Sequence, residues 1–121
     1  MLDVNLKVFV VESDIYARYA IASYLGWDRR TRVSRRLGSL AELEDTLLSL
    51  SEPEKPDAIL LDDTLLPTAR DARQSISGIL AYAPATMIVL AHTPRLEIAQ
   101  AVQAGHGAAY VLREEVGLGI S

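Results

Sequence analysis

The sequence predicts an α/β fold built on a doubly wound, five-stranded parallel sheet, and three observations carry that expectation. Short apolar runs alternate with amphipathic stretches along the 121 residues, each closed by a turn signal. The run Ala58–Leu61 is continuously apolar, as expected of a strand covered on both faces. Two runs, Leu6–Val11 and Ala58–Leu61, lead directly into acidic residues, and in open α/β sheets the carboxyl ends of the strands are where ligands bind.

The elements follow in order. Leu6–Val11 is the first strand. Ser13 or Asp14 can cap a helix running to about Leu25, with Ala17, Ala20, Ile21, Tyr24 and Leu25 on one face and Gly26 as its stop. Arg32–Leu37 is a more polar strand suited to a sheet edge. Ser39 followed by Glu42 is a capping box, and Leu40, Leu43, Leu47 and Leu50 form one helical stripe. The polar loop 51–56 leads into the strand Ala58–Leu61. A third helix over Ala69–Tyr82 is less sharply patterned. Thr86–Ala91 is a strand, and Pro94–Ala104 a helix with Ile98, Ala101 and Val102 inward, ended by Gly105. Ala108–Leu112 is the fifth strand. The tail 113–121 holds two glycines and is too short for a full closing helix, so one domain over 1–121 with a truncated last helix is expected.

Composition narrows the function. Half the residues are apolar, under a quarter are charged and the net charge is −4, which fits one compact domain. Arg29, Arg30, Arg32, Arg35 and Arg36 form a local basic cluster, read as a solvated loop and edge strand and not as a nucleic-acid contact. The absence of cysteine excludes disulfides and thiolate metal sites. No apolar run reaches the roughly 18 residues of a membrane span, and the first residues lack the character of a signal peptide, so a cytoplasmic location is expected. His92 and His106 read as surface loop residues with no zinc-ligand spacing around them.

Chemistry concentrates at the strand ends. Glu12, Ser13 and Asp14 follow the first strand, and Asp62 and Asp63 follow the third. Two parallel strands delivering carboxylates to one sheet edge would form a small anionic pocket suited to a hard cation.

Together these motifs resemble a response-regulator receiver domain, of the flavodoxin/CheY-like fold, over nearly the whole chain to Arg113. The resemblance implies an acid pair for Mg²⁺ after the first strand. Its positions here hold Glu12 and Ser13, so one carboxylate is lost. A phosphoacceptor aspartate is implied at the end of the third strand. The spacing from Pro56-Asp57 lands on Asp62, whereas counting back from Pro67 lands on Asp63. Asp62 is favoured because the sheet fixes strand spacing while loops absorb insertions. The hydroxyl residue implied at the end of the fourth strand is replaced by Ala91. Arg113 stands at the lysine position, and Tyr110 at that of the switch aromatic.

A receiver so altered is expected to bind Mg²⁺ weakly, with Glu12 and Asp62 as ligands, and to hold no other cofactor. Arg113 is expected to pair internally with Asp62 or Asp63. The expected function is not enzymatic. It is signalling through protein contacts on the face of Pro94–Gly105 and Ala108–Leu112, with little or no phosphorylation; a slow Mg²⁺-dependent phosphoacceptor is the alternative. The resemblance implies a histidine kinase or another signalling protein as partner. The context of Trp27 and Asp28 resembles receivers that precede a DNA-binding output domain, which would lie outside this chain. The apolar face left by a short last helix makes a homodimer an open expectation.

Overall fold

The computed structural model describes residues 6–25 and 31–113, the side chains of Tyr24 and Leu25 excepted. The expectations placed on Gly26, Trp27, Asp28, Arg29, Arg30 and the tail after Arg113 lie outside the described residues. Within them, strands β1 (Leu6–Val11), β2 (Thr31–Leu37), β3 (Ala58–Asp62), β4 (Thr86–Ala91) and β5 (Ala109–Leu112) form one sheet in the order β2-β1-β3-β4-β5. Every pairing is parallel. The connections carry helices α1 (Ile15–Leu25), α2 (Leu40–Ser49), α3 (Ala69–Tyr82) and α4 (Leu96–Ala104). This is the doubly wound α/β architecture that the alternation of patterns predicts.

Alternation along the strands divides the core between two faces. Phe9, Val11, Ile59, Leu61, Met87 and Val89 join one buried cluster with Leu43 and Leu47 of α2, Ile76 and Ile79 of α3, and Ile98 and Val102 of α4. The intervening Val8, Val10 and Leu90 are buried too but stand outside that cluster, while α1 packs on β1 and β2. The unbroken apolar run Ala58–Leu61 predicts burial on both faces; Ile59 and Leu61 are buried, whereas Ala58 and Leu60 are half-buried.

Local signals set the helix starts. The Ser39 hydroxyl accepts from Glu42 N–H at 3.1 Å, and the Glu42 carboxylate accepts from Gly38 N–H at 3.0 Å. Asp14 caps α1 by accepting from Tyr16 N–H at 2.9 Å and Ala17 N–H at 3.2 Å. Helix α3 is capped by Thr68, whose hydroxyl accepts from Asp71 N–H at 3.0 Å, and it buries Ala72, Ile76 and Ile79.

Two details differ from the sequence expectation. On α1 the buried residue is Ala22, with Ala17 and Ile21 half-buried and Ala20 exposed. An alanine-rich helix with tyrosines on several sides gives hydrophobic periodicity little to distinguish its faces. Helix α4 begins at Leu96, two residues later than expected, and ends on Gly105 as expected, with His106 at φ 73 following in the left-handed region. Gly105 also serves a close approach, since a Cβ there would lie 3.0 Å from the Arg73 carbonyl oxygen of α3.

The chain steps from β1 outward to β2 and then back across to β3, so the strand order reverses at β1. The crevice beyond the carboxyl ends of β1 and β3 is therefore the expected binding position for this topology.

Candidate functional site

Glu12 follows directly on β1 and Asp62 ends β3; both are about 2% exposed. Two carboxylates buried this deeply require a compensating cation. Arg113, following β5, provides it. One terminal nitrogen, Nη2, donates to Asp62 Oδ1 at 2.8 Å and also forms an ion pair with Glu12 Oε1. The other carboxylate oxygens are held locally: Asp14 N–H donates to Glu12 Oε2 at 3.1 Å, and the Thr64 hydroxyl donates to Asp62 Oδ2. Burial pushes the Arg113 guanidinium below its ordinary pKa.

The arrangement leaves some groups incompletely satisfied. Glu12 Oε1 touches Arg113 as an ion pair without a directed hydrogen bond, and Arg113 Nε, also buried, has no acceptor among the described residues.

His92, immediately after β4, completes the pocket. Its Nε2 lies 3.0 Å from Asp62 Oδ1, and its side chain is 50% exposed. His92 is an exposed loop residue, as the sequence reading has it; what that reading missed is that the β4 end turns the ring onto the carboxylate. The other histidine, His106, is exposed as expected. Ser13 is exposed beside the pocket, so no second side-chain acid extends the Glu12 end of it.

Asp63 belongs to a different set of contacts. It opens the 3₁₀ turn Asp63–Leu65, and its Oδ2 accepts from Arg95 Nη2 at 3.2 Å. The same guanidinium donates to the carbonyls of Asp63 at 3.2 Å, Leu66 at 3.4 Å and Pro67 at 3.5 Å. Arg95 thus clamps the whole β3–α3 loop. Its backbone N–H donates to the Tyr110 hydroxyl at 3.1 Å, and that hydroxyl donates to the Thr93 carbonyl at 3.3 Å. Tyr110 is tied to the β4–α4 loop, and that loop to Asp63. Arg95 was not singled out from the sequence; an arginine just before α4 carries no motif that would mark it.

Of the residues singled out in the sequence, the structure brings Glu12, Asp62 and Arg113 into one pocket. Ala91 is fully buried at the end of β4 and contributes no hydroxyl. Arg113 reaches Asp62, while Asp63 takes Arg95. Tyr110 is half-buried and anchored through its hydroxyl.

The donor set fits Mg²⁺ poorly. Mg²⁺ favours oxygen ligands in strict octahedral geometry, whereas both carboxylates here already share one guanidinium and the third ligand-capable group is an imidazole.

The chain has the fold of receiver domains. The receiver domain of RcsB from Salmonella enterica serovar Typhimurium, in its apo form, superposes with a TM-score of 0.77 at 18% identity over 93% of this chain and 79% of that one. The signal receiver domain of NarL from Mycobacterium tuberculosis gives 0.74 at 16% identity over 89% and 83%. A chain from the crystal structure of the CheA3 P1 domain in complex with CheY6 from R. sphaeroides gives 0.70 at 17% identity over 95% and 93%. No protein-family model matches the chain, and no curated protein matches it significantly. No described helix is long and apolar enough to cross a membrane.

Proposed function

We propose that this chain is a degenerate receiver that signals through protein contacts with little or no phosphorylation. One observation carries the reading: the Arg113 guanidinium already spans Asp62 and Glu12. Receiver chemistry needs a free aspartate nucleophile, a divalent ion to neutralise the incoming phosphoryl charge and donors aimed at its oxygens. Here the nucleophile position, Asp62, is neutralised from within. The acid at the Ser13 position is missing, and Ala91 offers no hydroxyl to connect a phosphoryl group with Tyr110.

The signalling surface in this reading is the face of α4 and β5. Leu96 is an exposed apolar residue on that face, and Tyr110 is held by its hydroxyl without any phosphoryl group. A kinase or another signalling protein would dock there, and the response would pass to an output domain, transcriptional in the simplest case. The protein would work in the cytoplasm and catalyse nothing itself.

Intact-mass measurement after incubation with Mg²⁺ and a small acyl phosphate tests this. The expected result is no gain of mass. A gain of one phosphoryl group in the parent protein that is lost in Asp62→Asn and kept in Asp63→Asn would overturn it, establishing a working phosphoacceptor instead.

A further inference from the structure

We propose that Glu12, Asp62 and His92 form a site for a borderline divalent cation of the Zn²⁺ type, for which Arg113 is the resident competitor. The inference deepens the reading of the same pocket as one whose native cation is no longer Mg²⁺, and rests on it.

Three observations carry it. First, one ligand atom from each of the three residues lies within 4.8 Å of the other two. Zinc bonds to nitrogen and oxygen are about 2.0–2.2 Å long, so two ligands of one tetrahedral ion sit about 3.5 Å apart. His92 Nε2 already lies 3.0 Å from Asp62 Oδ1, and the proposal requires the three side chains to draw together around the ion. Second, the donors differ in kind from those of a hard-cation site. A neutral imidazole with two carboxylates, leaving one position for water, suits tetrahedral zinc and is a poor match for octahedral Mg²⁺.

Third, the present occupant fits imperfectly. Glu12 is about 2% exposed, and its Oε1 points into the pocket without a directed hydrogen bond. Arg113 Nε is buried without an acceptor among the described residues. A guanidinium that leaves its own Nε–H orphaned and one carboxylate oxygen poorly directed can be displaced by an ion that satisfies both carboxylates. The exposed edge of His92 gives the ion an entry path, and Arg113, itself partly exposed, has solvent to move into.

The site would then have two states: Arg113 inward with both carboxylates paired, or metal inward with Arg113 released. Metal availability would shift the balance between them, since a ligand moves a two-state equilibrium by its differential affinity.

Calorimetric titration of the full chain with ZnCl₂ alone, and separately with MgCl₂, tests the proposal. One Zn²⁺ per chain is expected, bound at least about tenfold more tightly than Mg²⁺. His92→Ala should weaken Zn²⁺ binding by about tenfold or more, a loss at least as large as removal of a supporting residue around a metal ligand, and leave Mg²⁺ binding unchanged. His106→Ala should change neither. Arg113→Met should tighten Zn²⁺ binding. As that variant is also at risk of misfolding, the parent protein offers a second readout: zinc should shift the His92 imidazole Nε2 resonance and leave that of His106 in place. Equal Zn²⁺ affinity for the parent and His92→Ala, or a shift confined to His106, would overturn the site and leave the signalling reading intact. Phosphoryl gain in the mass measurement would overturn that reading and the inference that rests on it, and is told apart from a failure of the zinc site alone, which leaves the mass unchanged.

Discussion

Asp62 and Asp63 are consecutive and equally buried, yet they belong to two different pockets. Asp62 ends an extended strand, at φ −71 and ψ 135, and faces the carboxyl edge of the sheet, where Arg113 and His92 meet it. Asp63 begins a 3₁₀ turn and faces the entrance of α4, where Arg95 meets it. The two compensating cations come from different elements, one following β5 and one preceding α4. Each carboxylate is therefore linked to a different part of the molecule: Asp62 to the end of β1, Asp63 to Tyr110. In this chain the contacts from the β3–α3 loop to Tyr110 run through the Asp63–Arg95 ion pair and do not include Asp62.

The largest expected effect comes from the Asp62 side. Arg113→Met leaves two buried carboxylates without their cation, and urea unfolding should show a loss of about 3 kcal/mol. Adding Asp62→Asn to that variant should restore part of the loss, because one of the stranded charges is removed. A smaller loss for Arg113→Met than for Arg95→Met would reverse the ranking of the two pockets.

On the Asp63 side, Arg95→Met and Asp63→Asn should each cost about 2 kcal/mol, with a coupling above about 0.5 kcal/mol in the double-mutant cycle. Both should also release Tyr110, read as faster amide exchange in the β4–α4 loop. Asp62→Asn should leave that exchange unchanged; if it accelerates it equally, the two pockets are one network and the comparison fails.

The smallest expected effect on stability comes from Ser13→Asp. The residue is exposed, so the change should stay within about 0.5 kcal/mol. It should nonetheless strengthen Mg²⁺ binding, followed as amide shifts near Glu12, because it returns an oxygen ligand to the Glu12 end of the pocket.

Much of this organisation was legible in the sequence because strands have a fixed period. The run Ala58–Leu61 fixes where β3 ends, and so fixes Asp62 beside Glu12; the same reasoning brings Arg113 to that edge from β5. Loop paths have no period. Nothing in the sequence around His92 or Arg95 signals that one turns onto Asp62 and the other reaches back across the sheet end to Asp63, Leu66 and Pro67. On α1 the pattern misled for a different reason. Alanine is small enough to sit on either side of a helix, so Ala20 and Ala22 could exchange roles without disturbing the hydrophobic count.

Register at the outer strand has its own outcome. β2 has a strand neighbour on one side among the described residues, and its pairing with β1 slips between Val8 and Phe9, leaving Ser34 as the extra residue. A regular, uncharged outer strand would invite foreign strands to add to it. Here a bulge bends the strand, and Arg32, Arg35 and Arg36 stand exposed along it. Two copies meeting at this edge would oppose arginine to arginine on a distorted ladder, so growth of the sheet through β2 is disfavoured.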